Sequence, residues 1–306
     1  MNYINIGKSN FVVPQVALGC MRITKLDKKD LKALVEKAIE LGANFFDHAD
    51  IYAKGECEKH FSEALEMNSS IREKMILQTK CGIVSGVSFD FSKEHILSSV
   101  DKSLKSLRTE YVDSLLLHRP DTLVEPEEVA EAFSELKKSG KVRHFGVSNQ
   151  NPYQIELLKK YCDVDIEINQ LQLSITECGM IDSGLNVNMK NDVGINRDGY
   201  ILDYCRLNDV TIQAWSPFQS GFFSGTFIDN DKYPALNQKL AEIAEKYSVS
   251  KTSVAIAWIN RHPAKIQTLA GTTNIQRFVD VCKSTEFTLT REEWYEIYLS
   301  TGKKLP

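Results

Sequence analysis

Apolar residues along the chain fall into two alternating rhythms. Short runs rich in β-branched and aromatic residues occur at 13–19 (VPQVALG), 44–50 (NFFDHAD), 74–82 (KMILQTKCG) and 111–119 (YVDSLLLHR). They return at 142–149 (VRHFGVSN), 166–174 (IEINQLQLS), 211–218 (TIQAWSPF) and 265–273 (KIQTLAGTT). Between the first two runs, Leu31, Leu34, Val35, Ala38 and Ile39 repeat at helical spacing, with Asp27 as an acidic start and Gly42 as a stop. The same spacing predicts helices near 56–67, 92–108, 125–140, 151–162, 197–208, 235–247 and 274–284.

Strand-like runs separated by helices require crossover connections, and crossovers build parallel sheets. Eight such units in 306 residues fit an α/β fold of the (β/α)8 TIM-barrel type, whose core takes about 250 residues. The remainder reads as an N-terminal hairpin turning at Gly7-Lys8-Ser9-Asn10, which would plug one end of the barrel. It also includes an aperiodic insertion at 176–196, placed to cover the active-site mouth, and extra helices at 250–263 and 290–302. No linker or low-complexity stretch interrupts residues 1–306, so one barrel domain is expected. The competing doubly wound sheet lacks a GxGxxG after its first strand.

Composition removes several classes of function. A net charge of -4 argues against a nucleic-acid partner, and no apolar run approaches the length of a membrane span. The N-terminus does not have the layout of a signal peptide, and seven scattered cysteines without CxxC spacing read as reduced, cytoplasmic thiols. The expected assembly is a monomer or a weak homo-oligomer.

In a TIM barrel, function gathers where the strands end, and the unusual polar residues fall there one strand after another. The second run ends in Asp47 and leads to Tyr52, the third ends in Lys80 and the fourth in His118. Ser148, Asn149, Gln170 and Trp215 close later runs. Pleat alternation turns Asp47 to one face and His48 and Asp50 to the other, so these three do not converge on a metal. His48 and Asp50 read as supporting or turn-capping residues. The six histidines contain no HxH or HExxH, so no metal is expected. No GxSxG marks a serine hydrolase, and the seventh strand ends in Trp215-Ser216-Pro217 where a glycosidase would need an acid. A Schiff-base lysine at Lys80 stays open.

Carbonyl reduction uses all four groups. Hydride addition creates an alkoxide, which needs a proton donor and a positive field. Tyr52 can donate, Lys80 can lower its pKa, Asp47 can hold the lysine, and His118 can orient a small-molecule carbonyl substrate.

These same segments, FFDHADIY, LQTKCG, LLLHRPD, SGKVRHFGVSN, NQLQLS, AWSPF and GTTNIQRF, resemble the aldo-keto reductase superfamily over nearly the whole chain, and a bacterial oxidoreductase branch in particular. The resemblance implies a barrel that reduces aldehydes or ketones with NADPH, or with NADH, using Asp47, Tyr52, Lys80 and His118 as a catalytic tetrad. It implies that Ser148, Asn149 and Gln170 bind the nicotinamide carboxamide and that Trp215 stacks on its ring. Ser216, Phe218, Gln219, Ser220 and Gly221 would fold over the pyrophosphate. Gly271, Thr272, Thr273, Gln276, Arg277 and Asp280 align with the adenosine-phosphate site, and Gly19, Met21 and Arg22 are expected to face cofactor or substrate. Asp280-Val281 stands where many relatives have Glu-Asn. Some barrels of this family hold the nucleotide as regulatory or binding subunits, which is the alternative reading.

Overall fold

The computed structural model describes residues 1–221 and 224–306. It opens with an antiparallel hairpin, β1 (Tyr3–Asn5) and β2 (Val12–Pro14), paired from Tyr3 opposite Pro14 to Asn5 opposite Val12. Gly7 enters the turn at φ +55°, a region that a residue without Cβ visits at little cost. Next come β3 (Val16–Gly19), β4 (Phe45–Asp47) and β5 (Ile76–Cys81), then a small antiparallel arm of β6 (Ile83–Val84) and β7 (Ser88–Phe89). Strands β8 (Val112–Leu117), β9 (Val142–Ser148), β10 (Ile166–Gln172), β11 (Thr211–Trp215) and β12 (Gln267–Ala270) complete the set. Eight of these close a barrel in the order β10-β11-β12-β3-β4-β5-β8-β9, every neighbouring pair parallel. The fold is the expected (β/α)8 barrel, with the hairpin across its N-terminal end.

The outer layer holds α1 (Lys28–Glu40), α2 (Glu56–Ala64), α3 (Ser69–Arg72), α4 (Lys93–Leu107), α5 (Pro126–Lys138) and α6 (Pro152–Tyr161). It continues with α7 (Gly179–Leu185), α8 (Ile201–Leu207), α9 (Pro234–Tyr247), α10 (Lys251–Asn260), α11 (Ile275–Lys283) and α12 (Arg291–Ser300). Asp27 caps α1 by accepting the Asp30 N–H at 2.8 Å, and Gly42 ends it at φ +79°. Ser253 to Ile259 of α10 are buried all round the helix. Trp258 of α10 stacks on Trp294 of α12 at 4.7 Å, and each indole N–H donates to the other's backbone oxygen at 3.0 Å. Among the described residues no helix is long and apolar enough to cross a membrane.

Pleating divides the core. Ile6, Val13, Ala17, Phe45, Leu116, Ile168 and Leu269 pack together inside the barrel against the hairpin, while a larger cluster fills the space between strands and helices. The 176–196 insertion is a correction to the sequence reading. Its helix α7 packs away from the mouth, where Tyr298 Oη donates to Asp182 Oδ1 at 2.9 Å and Lys303 Nζ lies 3.1 Å from Asp182 Oδ2. No residue of 176–196 lines the main cavity.

Candidate active site

Lys80, fully buried on β5, organises the C-terminal end of the barrel. Its ammonium donates to Asp47 Oδ2 (2.8 Å), the His48 carbonyl (2.8 Å) and Tyr52 Oη (3.0 Å). An ammonium has three protons, so all are placed. Asp47 ends β4, and Tyr52 follows in a tight 3-10 turn where Ala53 (φ 49°) and Lys54 (φ 58°) both adopt left-handed backbone. Two consecutive non-glycine residues there store strain, a feature that concentrates at functional sites. His118 comes directly after β8, with its ring edge-on to Tyr52 at 5.8 Å.

Amide side chains inside the barrel fix Asp47 from below. Gln78 Nε2 donates to Asp47 Oδ1 at 2.7 Å and Gln170 Nε2 donates to the same oxygen at 3.1 Å. The network runs on through Gln213 and Gln267 to the Pro14 carbonyl of the hairpin, and Ser114 Oγ donates to Gln78 Oε1. A carboxylate can only accept, so it sets the orientation of both amides. The buried charge is therefore hydrogen-bonded on both oxygens, as its burial demands.

The protonation states follow from burial and neighbours. Burial lowers the Lys80 pKa, but Asp47 and Tyr52 outweigh it and leave the ammonium more firmly protonated than in water. For Tyr52, burial raises the pKa and Lys80 pulls it back without cancelling the rise. Lys80 therefore pulls the phenol down as expected, but desolvation is the larger effect and the net shift is upward. Burial, then Lys80 and Arg119, hold His118 well below the usual imidazole range, so it is neutral. Of the two roles expected for His48, the supporting one holds, because its carbonyl accepts from Lys80 at 2.8 Å. Neither ring nitrogen has a hydrogen-bond partner among the described residues, and the ring packs edge-on to Phe61 at 4.6 Å, so it caps no turn. Burial, assisted by Lys80, lowers its pKa to about 3.

A cavity of about 680 Å³ opens above the tetrad. Asp47, Tyr52 and His118 line it, together with Gly19, Met21, Arg22, Ser148, Asn149, Gln170, Trp215, Ser216, Phe218, Gln219, Gly271, Thr272 and Arg277. Ser220, Gly221, Thr273, Gln276 and Asp280 stand off its wall. The Ser220 N–H turns back to the Gly225 carbonyl at 3.0 Å, and the Gly221 carbonyl accepts from Gln172. Gln276 Nε2 donates to Asp280 Oδ1 along the exposed flank of α11. Asn149 joins two of the expected contacts: its Nδ2 donates to Ser148 Oγ at 2.6 Å and its Oδ1 accepts from Trp215 Nε1 at 3.2 Å.

The wall also contains Ile51, Ala53, Ile83, Arg119 and Thr252, which the sequence reading did not single out. Arg119 was within reach of that reading, since it adjoins His118 in the HRPD segment. Ile83 lies on the two-residue strand β6, too short to show a period.

The residues present fit a nicotinamide dinucleotide. A Cβ placed on Gly271 would meet only the Gly19 carbonyl, at 3.7 Å, so bare backbone faces the cavity between β12 and β3. Gln170 has both donor contacts satisfied, and its Oε1 has no protein partner among the described residues, which leaves an acceptor for a carboxamide. At the far end the Arg277 guanidinium has no partner among the described residues and lies in the first turn of α11, where Asn274 Oδ1 accepts its backbone N–H. Among the described residues no group of three His, Cys, Asp or Glu side chains is placed to hold a metal.

The aldo/keto reductase family model matches residues 15–298. The "uncharacterized oxidoreductase YcsN" of Bacillus subtilis (strain 168) is 37% identical over 95% of this chain and 96% of its own length. The 6-dehydroglucose reductase of Agrobacterium fabrum is 33% identical, covering 90% of this chain and 89% of that protein. Among solved structures, a Bombyx mori aldo-keto reductase in complex with NADP superposes with a TM-score of 0.73 at 22% identity, over 99% of this chain and 94% of that one.

Proposed function

Because the chain belongs to the aldo/keto reductase family, whose nicotinamide-dependent members reduce aldehydes and ketones, we propose that Tyr52 is its proton donor and NADPH its preferred reductant. A bound nicotinamide dinucleotide supplies the hydride that the side chains lack. The observation that carries the assignment of Tyr52 is the Lys80 hydrogen-bond set. Since Lys80 donates to Tyr52 Oη, the phenol proton must point elsewhere, and Tyr52 lines the cavity.

Each remaining role follows from position. The raised pKa keeps Tyr52 protonated at neutral pH, in the form able to donate. After transfer, the Lys80 N–H at 3.0 Å and the fixed positive charge behind it stabilise the phenolate. Asp47, with both oxygens bonded, holds Lys80 in line. Neutral His118 shares the cavity wall with Tyr52 and offers an N–H to a carbonyl oxygen. Preference for NADPH rests on the unpartnered Arg277 beside the α11 N-terminus, a setting that favours a 2′-phosphate. The NADP-bound Bombyx mori neighbour supports the same choice.

Tyr52→Phe tests the core of the proposal. It should cut kcat by about 10² or more while nucleotide affinity stays within a few-fold. Lys80→Met should be similarly impaired, and the double variant should lose less than the product of the single losses, because the groups act as a unit. Near-wild-type turnover by Tyr52→Phe on a good carbonyl substrate would show that another group donates the proton.

A further inference from the structure

Arg119 is a cation at the catalytic end of the cavity without an anion to meet it. Its guanidinium carbon lies 5.7 Å from the centre of the Trp215 ring, a cation–π contact that holds it beside Tyr52 and His118. Among the described residues it has no hydrogen bond and no carboxylate within ion-pair distance. It is half-buried, and burial pulls its pKa below the ordinary guanidinium value, with Tyr52 opposing that shift. A desolvated charge left unpaired costs stability, so the arrangement is explained best by a ligand that completes it.

The rest of the wall narrows what that ligand is. Its two carboxylates are committed, Asp47 to Lys80 and Asp229 to Lys251. The residues that fit a dinucleotide, from Gln170 through Trp215 and Gly271 to Gly19, lie on or directly after the consecutive strands β10, β11, β12 and β3. Arg119 follows β8, beyond Tyr52 and Lys80 in the barrel order β3-β4-β5-β8, and reaches over to the Trp215 edge of that wall. Ile51, Ala53 and Ile83 add apolar surface to the cavity that Tyr52, His118 and Arg119 line. His118 and Arg119 line the same cavity with Tyr52, so one small molecule can meet the anion site and the carbonyl site together.

We propose that the preferred carbonyl substrate carries an anionic group, a carboxylate or a phosphate monoester, within a few bonds of the carbonyl, and that Arg119 binds it. This rests on the reductase reading above and names the substrate class for it. Arginine suits the task because its planar fork pairs with either anion through two parallel hydrogen bonds.

Matched substrate pairs test it in the presence of NADPH: 4-oxobutanoate against butanal, and glyceraldehyde 3-phosphate against glyceraldehyde. In the wild type, kcat/KM should favour the anionic member of at least one pair by about tenfold or more, and the pair with the larger ratio identifies the anion. Arg119→Met should reduce that ratio by a similar factor, mainly through KM, and Arg119→Lys should recover part of it. Ratios near or below one in both wild-type pairs would overturn the proposal, as would equal losses for both members in Arg119→Met. Should that variant not fold, competition decides: succinate is expected to compete with butanal in the wild type, and no competition counts against Arg119. Failure of all four compounds to be reduced would instead overturn the reductase reading itself.

Discussion

Asp50 lies three residues beyond Asp47, but its carboxyl faces the opposite environment. Asp47 has a lysine and two amides, whereas Asp50 Oδ1 is buried with no partner among the described residues. Burial, with Glu58 nearby, raises the Asp50 pKa to about 7. The folded chain therefore holds a proton that the unfolded chain has released between roughly pH 4 and 7, so this group's contribution to stability is lost as pH rises through about 7. Asp50→Asn has no such loss. Relative to wild type it should gain up to about 1.4 kcal/mol per pH unit across that window and then level off. Urea unfolding at pH 5 and pH 8 measures this, and a stability difference identical at both would refute it. The contrast also shows what single residues disclose in sequence. Asp47, Tyr52, Lys80 and His118 were legible because ionisable side chains at strand ends are conspicuous. The direction of the net Tyr52 shift was not, since it depends on how much water the folded barrel removes, which no spacing encodes.

Among elements, the eight barrel strands were legible because strands buried on both faces read as short apolar runs closed by turn residues. The elements that escaped were too short to repeat their pattern, β6 and β7 with two residues each and the four-residue α3, or lay in the segment read as aperiodic, as α7 does. Helix α3 nonetheless supplies a structural tie. Arg72, buried at its end, donates to Asp113 Oδ2 at 2.6 Å and to the carbonyls of Met75 and Tyr111, and lies over the Tyr111 ring at 4.0 Å. Asp113 in turn accepts the Leu77 N–H, joining α3, β5 and β8 where the strands begin. Arg72→Met keeps the aliphatic stem and removes the charge, leaving buried Asp113 with the Leu77 N–H and, as its one remaining cation among the described residues, the half-exposed Arg143 at 3.3 Å. We expect a loss of about 3 kcal/mol, the low end for a broken buried pair because Arg143 remains. Because the tie sits at the end of β5 opposite Lys80, kcat of the folded protein should stay within about twofold. Unchanged unfolding midpoints would mean that the pair contributes nothing, and a large fall in kcat would mean that the two ends of β5 are not independent.

At the scale of the whole molecule, the closed sheet brings strands far apart in sequence around one cavity. Arg277 follows β12 and Arg119 follows β8, 158 positions apart in the numbering, yet both line it. Sequence alone ordered the strands but did not show which loop residues reach inward; Asp280 looks as suitable as Arg277 until α11 places it beside Gln276 and off the cavity wall. A dinucleotide bound to this wall would bridge β12, β3 and the strands bearing Gln170 and Trp215, and anything that binds only the folded state stabilises it by mass action. At a concentration a hundred times its dissociation constant, that gain is about 2.7 kcal/mol. If the 2′-phosphate meets Arg277, NADPH should bind at least about tenfold more tightly than NADH, worth about 1.4 kcal/mol more at equal concentration. For a barrel of this size that corresponds to an additional rise of roughly 2 °C or more in Tm. Thermal unfolding with each nucleotide, in wild type and Arg277→Ala, measures it without turnover. The Arg277→Ala protein should retain the NADH shift and lose the excess due to NADPH. Equal shifts in the wild type would remove the cofactor preference, and an excess that survives Arg277→Ala would move the phosphate contact to another residue.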